Sequence, residues 1–358
     1  MIDLKALISS VKKNCTVSDA TYWGYYSLCG LLLRLRELYR SERGLRPWER
    51  INQEEISEWI SERENLWKEL EGKGFEDIIT GEQVYDPFEV ERINAVLEKE
   101  NLLYSAGYGI HMKPSFFLAD LLSKKKVEGH VVYIAGHEYA RDLAHYPATL
   151  QDGIIFARVD TTRHLLWEKF EELRLRGPKG SLAFAFSRYG IKPEDESSED
   201  LYRRMFQVAF AEVETYIYHE LGEAFEATRL GGEWDDLLVD FSGTKIEVFA
   251  RGVKDLLSDT AETGMIRHII ENRKEGSLGF YIVFLGGYRK PLFPEIIKAF
   301  EGFVESGDWG LIEDARKAGY GKAEVCAERL LSFRREKRDQ ACISEYIDKE
   351  LLSSKKSV

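Results

Sequence analysis

The amino-acid sequence predicts a mainly α-helical protein, a multi-helix globular domain. Apolar residues recur at spacings of three and four through nearly every long segment, which is the period of an amphipathic helix. Recognisable N-cap residues and glycine or proline stops flank several of these segments. Strand-like runs are few and short, so we expect at most a small two-stranded element at residues 131–134 and 154–156.

The first predicted helices have clear start and stop signals. Ser18–Asp19 is a candidate N-cap for a helix over residues 19–43, which the glycine and proline of residues 44–47 end. Asn52 caps the next helix. Its apolar face carries two tryptophans and several aliphatic residues.

Prolines mark two further predicted helix starts. Asp86–Pro87 supplies an N-cap and a first helical residue for a helix that reaches about Glu100. Pro114 opens a short helix rich in phenylalanine and leucine. The β-branched runs at 131–134 and 154–156 suit either strands or buried helix starts, because short apolar runs do not discriminate between them.

The polar stretch at residues 190–200 divides the prediction into an N-terminal helical region, 1–190, and a C-terminal helical region, 191–358. A single compact domain is the alternative. A long helix is predicted from Ser198 to Leu230, ended by two glycines. Further helices are predicted over residues 244–258, 264–274, 294–305, 309–318, 323–335 and 341–352.

Charge and hydropathy argue against two classes of partner. The chain has 62 acidic and 50 basic residues, a net charge of −12, and its basic clusters are short. We therefore expect no nucleic-acid binding, which normally begins with a basic stripe. The longest apolar stretches fall far below the roughly 20 residues of a membrane helix, so we also expect no membrane association.

Cysteine usage predicts the compartment. The four cysteines have no CxxC spacing and are too few for a disulfide framework. The first residues lack the basic and apolar regions of a signal peptide. We expect a cytoplasmic protein with reduced thiols.

The segment Glu212–Glu223 is the first candidate for chemistry. On a helix, Glu212, Tyr216, His219 and Glu223 share one face, so His219 and Glu223 can reach one metal ion and Glu212 can add a carboxylate. The alternative is an ion-paired helix face without metal. The order His219-Glu220-Leu221-Gly222-Glu223 also resembles a zinc-peptidase motif, but a glutamate replaces its second histidine.

A second acidic group lies at residues 254–262, in a later predicted helix. Asp255, Asp259 and Glu262 share a face if the helix continues, and His268 lies shortly downstream. We predict Asp259 and His268 as further ligands of a divalent iron, manganese or zinc ion held by His219 and Glu223. An exposed acidic helix end is the alternative.

A third group lies at residues 136–145, where Glu138 and Arg141 are neighbours if the segment is helical. A run with both signs of charge is usually a salt-bridged surface. The functional interpretation is a substrate site in which Arg141, beside Glu138, orients a substrate carboxylate.

The chain resembles a bacterial family of uncharacterised proteins. The resemblance rests on residues 14–20 (NCTVSDA), 45–49 (LRPWE), 113–119 (KPSFFLA), 140–143 (ARDL), 218–223 (YHELGE) and 254–257 (KDLL). It implies a bacterial cytosolic protein of unknown function and no particular mechanism. Parts of all three polar groups fall inside these blocks.

Two functional hypotheses remain at this stage. The first is a helical metal-binding protein that acts as a non-haem metal-dependent enzyme. The second is a non-catalytic binding or scaffold protein, for which an apolar surface of Trp23, Tyr25 and Tyr26 is a candidate interface. The orientation of His219 and Glu223 discriminates between them.

Overall fold

The computed structural model describes residues 2–81, 83–109 and 112–355. The chain packs as two compact units. The first comprises the residues up to 167 together with 196–210, and the second comprises 168–195 together with the residues from 211 onward. Two helices, α5 (Val159–Arg176) and α7 (Glu199–Leu230), contribute residues to both units.

The first unit contains four further α-helices among its described residues. They are α1 (Leu4–Tyr22), α2 (Leu28–Arg43), α3 (Gln53–Leu70) and α4 (Val90–Leu97). The predicted N-cap at Ser18–Asp19 is wrong, because α1 runs through these two residues and buries both. Ser27 caps α2 instead. Asn52 caps α3 as predicted, with its side-chain oxygen accepting from the backbone of Glu54 and Glu55.

The first unit also contains a mixed five-stranded sheet. Its strands are β3 (Leu102–Tyr108), β4 (Pro114–Val127), β5 (His130–Arg141), β6 (Ala148–Gln151) and β7 (Ile154–Arg158), in the order β3-β4-β5-β7-β6. Only the β5–β7 pair within this sheet is parallel. A separate ladder joins β1 (Ile78–Thr80) to β2 (Gln83–Tyr85).

The predicted fold class is therefore wrong in one respect. The protein is mainly helical, but it carries a five-stranded sheet where we expected at most a two-stranded element. The helix predicted from Pro114 is strand β4, in which Phe116, Phe117, Leu118 and Ala119 are all buried. Both faces of this strand are covered, so its apolar residues run consecutively and do not alternate.

The second unit is helical in the part of it that the structure describes. Its helices are α6 (Gly180–Ser187), α8 (Gly232–Asp240), α9 (Lys245–Thr260), α10 (Met265–Glu271), α11 (Glu275–Phe284), α12 (Arg289–Leu292), α13 (Pro294–Ser306), α14 (Trp309–Arg335) and α15 (Gln340–Lys355). The predictions of α7 and α9 are confirmed to within two residues at each end. The helices predicted over 309–318 and 323–335 form one helix, α14.

Helix α9 is central to the second unit. Thr244 caps its first turn by accepting hydrogen bonds from the backbone of Ile246 and Glu247. Its apolar face, which includes Phe249 and Val253, is fully buried in the main cluster of this unit. Burying such a side chain stabilises the fold by about 1.5–3 kcal/mol. The helix is thereby fixed, together with the polar residues of its last turns.

None of the described helices could span a membrane. Among residues 2–81, 83–109 and 112–355, no helix is both long enough and apolar enough to cross a bilayer.

Candidate metal centre

The candidate site lies where α7 passes α9 in the second unit. On α7, His219 and Glu223 stand one turn apart. Between them, Gly222 lies so close to α9 that a Cβ built on it would be 2.2 Å from the carbonyl oxygen of Ser258. Because glycine has no Cβ, the two backbones meet here, and the aspartates on either side of Ser258 come within reach of α7.

Three side chains at this crossing present ligand atoms to one point. One atom each from His219, Glu223 and Asp255 lies within 4.8 Å of the other two. The His219 Nε2 atom is 3.9 Å from Glu223 Oε1, and these side chains are 19% and 26% exposed. A small ion can therefore reach them from solvent. Imidazole nitrogen and carboxylate oxygen are both ligands that iron, manganese and zinc accept.

Asp259 binds the ring nitrogen of His219 that faces away from Glu223. His219 Nδ1 donates to Asp259 Oδ1 at 2.7 Å. The other carboxylate oxygen accepts from Arg289 Nη1 at 2.9 Å and from the Tyr281 hydroxyl at 3.2 Å. The Asp259 side chain is fully buried. Both carboxylate oxygens of Asp259 therefore have hydrogen-bond partners within the protein. The second ring nitrogen of His219, Nε2, faces Glu223.

Burial and neighbouring charges change the pKa values of His219 and Asp255. Burial alone would lower the pKa of His219, but the Asp259 carboxylate outweighs this effect and raises the pKa to about 10. Burial raises the pKa of Asp255, against the opposing charges of His219 and Arg289. Without a metal ion, His219 is therefore an imidazolium that balances the neighbouring carboxylates.

Glu212, predicted as a carboxylate ligand, lies in another environment. It is buried, and its Oε1 accepts from Ser277 Oγ at 2.8 Å and from the Tyr189 hydroxyl. Burial raises the pKa of this carboxyl group, although both hydrogen bonds oppose the shift. It is not a member of the three-residue group formed by His219, Glu223 and Asp255.

His268, the other predicted histidine ligand, stacks on Tyr218 with ring centroids 3.8 Å apart. Its Nε2 atom lies 3.6 Å from Glu214 Oε2, and Asn272 is within hydrogen-bond distance of Nδ1. The ring is buried. The structure places His268 against Tyr218 and Glu214, outside the group formed by His219, Glu223 and Asp255.

Glu138 and Arg141 lie on strand β5, not on a helix as assumed in the prediction. Both are buried. The two carboxylate oxygens of Glu138 accept from Arg158 Nε at 2.9 Å and Nη2 at 2.8 Å, and Thr161 adds a third bond. Arg141 Nε lies 3.9 Å from the same carboxylate. Glu138 is thus the counter-ion of Arg158.

Sequence reasoning missed a buried ion cluster in the first unit. Lys113 Nζ lies 3.1 Å from Asp19 Oδ1 and 3.5 Å from Asp142 Oδ2, and it donates to Ser18 Oγ at 3.0 Å. Asp142 and Asp19 also accept backbone N–H groups of the sheet and its following loop. The cluster joins α1 to the sheet. Its members fall in three of the sequence blocks that carried the family resemblance.

The proposed apolar surface is partly exposed. Trp23 is 46% exposed and Tyr25 is 63% exposed, whereas Tyr26 is more covered. Trp23 lines an apolar cavity of about 250 Å³ together with Leu31 and Trp67. An exposed apolar surface of the kind that the scaffold hypothesis requires is therefore present around Trp23.

Comparison with known proteins places the chain in a family. Residues 6–158 match the N-terminal domain of the family of unknown function DUF6866, and residues 163–351 match its C-terminal domain. No curated protein and no solved structure matches the chain. The predicted resemblance is confirmed: the two matches span nearly the whole sequence, so the chain belongs to the DUF6866 family.

Proposed function

We propose that the second unit binds one divalent metal ion through His219 Nε2 and the carboxylates of Glu223 and Asp255. One observation carries the proposal. The three ligand atoms converge within 4.8 Å, while the other nitrogen of His219 is held by Asp259. A carboxylate behind a histidine, with the second ring nitrogen facing further ligands, is the usual arrangement around a protein-bound metal.

Asp259 has an orienting role in this proposal and not the ligand role first expected of it. Its hydrogen bond fixes the ring of His219 and strengthens the nitrogen that faces the metal. Arg289 and Tyr281 in turn hold Asp259. Asp255 is the α9 carboxylate that takes the ligand position.

Charge compensation supports the same proposal. Glu223 and Asp255 repel each other, and Lys254, whose Nζ lies 3.5 Å from Glu223 Oε2, offsets this repulsion in part together with the protonated His219. A dication between the ligands relieves it more fully. Metal binding would displace the proton from His219 Nε2, because only the neutral nitrogen has a lone pair to donate. The alternative remains an ion-paired helix crossing with imidazolium at its centre.

The ligand set favours a class of metal ion and a kind of chemistry. One nitrogen and two carboxylate ligands suit iron(II), manganese(II) or zinc(II), whereas copper(I) prefers thiolates. Three protein ligands leave coordination positions for water, as in catalytic rather than structural sites. We therefore infer a metal-dependent enzyme that activates a bound water molecule. A cytosolic location fits the unpaired state of all four cysteines.

Calorimetric titration of metal-stripped, untagged protein tests the proposal. Manganese(II), zinc(II) or anaerobic iron(II) should bind at a single site. The variants His219→Gln and Asp255→Asn should weaken binding by about 100-fold or more. His268→Gln is the matched control and should bind as the wild type does. Absence of binding by the wild type, or equal losses in the control, would favour the scaffold alternative.

A further inference from the structure

A cluster of positive charge lies at the end of β5 in the first unit. Arg141 ends this strand, and its Nη1 donates to His145 Nε2 at 3.1 Å. Arg34 of α2 approaches the same loop, where its Nη1 donates to the carbonyl oxygen of Leu143 at 2.6 Å. His164 of α5 also lies near Arg141.

Among the described residues, no carboxylate lies within hydrogen-bond distance of Arg141, although its charge acts on the partly buried carboxyl group of Glu37. The nearby Glu138 carboxylate is held by both nitrogens of Arg158 at 2.8–2.9 Å, whereas Arg141 Nε is 3.9 Å from it. Arg141 is only 4% exposed. Its Nη2 atom is buried and has no hydrogen-bond partner within the described part of the chain. A buried N–H donor of a charged group is rarely left without a partner.

Two histidines beside Arg141 are held neutral. Burial, followed by the charges of Arg141 and Arg34, keeps the pKa of His145 well below its usual value. Burial and Arg141 likewise lower the pKa of His164 to about 4. His145 Nε2 accepts from Arg141, so its proton is on Nδ1. The surroundings of His145 thus combine positive charge with N–H donors.

We propose that this cluster binds the oxyanion group, carboxylate or phosphate, of a small molecule. The Nη2 of Arg141 is the central donor, and Arg34 adds positive charge. An arginine suits such a group because its guanidinium stays charged when it is buried and its N–H donors have fixed directions. This refines the predicted substrate site: Arg141 remains in it, while Glu138 serves Arg158.

The chemistry favours an anion over a cation or a neutral apolar ligand. The positive charges of Arg34, Arg141 and Arg158 all act on His145, and the Glu138 carboxylate is already bound by Arg158, so a cation is disfavoured here. An oxyanion supplies the missing partner of Arg141 Nη2 and compensates its charge. His164 Nδ1, which is also buried without a partner among the described residues, provides a further polar atom nearby.

Titration with inorganic phosphate and with malonate, each against sodium chloride at equal ionic strength, tests the inference. Binding is followed by the melting temperature and, for phosphate, by ³¹P line broadening. At least one of the two anions should bind saturably at millimolar concentration, and the one that does identifies the group. Arg34→Gln should weaken that binding at least tenfold. The control is Arg36→Gln, an exposed arginine of the same helix, which should bind as the wild type does.

Arg34 is used as the main variant because it is only partly buried. Arg141→Lys, which keeps the charge but loses the planar fork, is the second variant and should also weaken binding. Failure of the wild type to bind either anion saturably, or equal losses in Arg34→Gln and Arg36→Gln, would overturn the inference. Repeating the titration in His219→Gln separates this site from the proposed metal centre, since the affinity should not change.

Discussion

Gly222 of α7 lies against the carbonyl oxygen of Ser258 in α9 with no space for a methyl group between them. A Cβ at Gly222 would be 2.2 Å from that oxygen and 2.8 Å from the carbonyl carbon. The obstacle is backbone, which cannot rotate away as a side chain can. This contact sets the distance between His219 and Glu223 on α7 and Asp255 on α9. The geometry of the site therefore depends on Gly222, although Gly222 itself is not a ligand.

Gly222→Ala should therefore affect both stability and metal binding. Inserting a methyl group into this contact should destabilise the second unit by about 1–3 kcal/mol or more. It should also move α7 away from α9 and weaken metal affinity. Chemical denaturation and metal titration measure the two effects. Gly321→Ala is the control, since a Cβ there meets nothing within 4 Å, and it should be neutral or stabilise α14 by up to about 1 kcal/mol.

Asp259→Asn should reduce metal affinity by about 10–100-fold without removing a ligand. The amide is isosteric with the carboxylate but lacks its charge, so it no longer strengthens the His219 nitrogen. Calorimetric titration measures the loss, and the exposed Asp236→Asn serves as control. An unchanged affinity in Asp259→Asn would show that the hydrogen bond at 2.7 Å has no part in metal binding.

The four cysteines should differ in reactivity in the native protein. Cys29 is exposed and should react with a thiol reagent first, followed by the partly exposed Cys342. Cys15 and Cys326 are buried, and burial raises the pKa of both thiols, so they should react only on unfolding. The denatured, unreduced protein should titrate four thiols. A count of two or fewer, with air oxidation excluded, would contradict the assignment.

Acid should destabilise the first unit through His164. Its pKa is lowered to about 4 in the folded protein by burial and by Arg141 and Arg163, against the attraction of Asp160 and Glu138. The unfolded chain takes up the proton near pH 6.5, so this contribution to stability is present above that pH and is lost as the pH falls towards 4. Between pH 7 and 5 the loss is about 2 kcal/mol.

Denaturation of the wild type and His164→Gln at both pH values, in chloride buffer, measures this effect. The variant should show a smaller decrease in stability than the wild type, because glutamine takes up no proton. Equal decreases in the two proteins would mean that His164 is protonated as readily in the folded chain as in the unfolded one.

Long amphipathic helices were predictable because their period persists over many turns. Helix α7, predicted from Ser198 and observed from Glu199 to Leu230, is an example. The strands were harder to predict. Strand β4 is buried on both faces, so the apolar residues at 116, 117, 118 and 121 fit a helical period equally well. Packing against α1 and the neighbouring strands determines that this segment is a strand, and the local spacing of apolar residues does not predict that packing.

One signal for the sheet was present in the sequence. Asp152 and Gly153 both have positive φ, 49° and 79°, in the two-residue turn that joins β6 to β7. Asp-Gly between apolar runs is a strong hairpin signal. Glu128 and Gly129 form a similar turn between β4 and β5, with φ of 47° and 86°. Glutamate is not a typical residue for this turn, so its signal was weaker.

The candidate site was predictable only along each helix. The spacing of four residues places His219 and Glu223 on one face of α7, and it places Asp255 and Asp259 on one face of α9. Which aspartate meets Glu223 and which meets His219 Nδ1 depends on how the helices cross. The crossing is determined by the contact of Gly222 with Ser258. The spacing of residues along each helix does not predict this contact. Arg289, whose role is to hold Asp259, was missed for the same reason.

The metal content of untagged protein tests the central claim most directly. After loading with manganese(II), iron(II) or zinc(II) and removal of excess metal, elemental analysis should find about one equivalent of at least one of them per chain. Asp255→Asn should retain far less under the same conditions, because it lacks one of the three ligands. Well under one equivalent of every metal in the wild type, or equal retention in Asp255→Asn, would contradict the account.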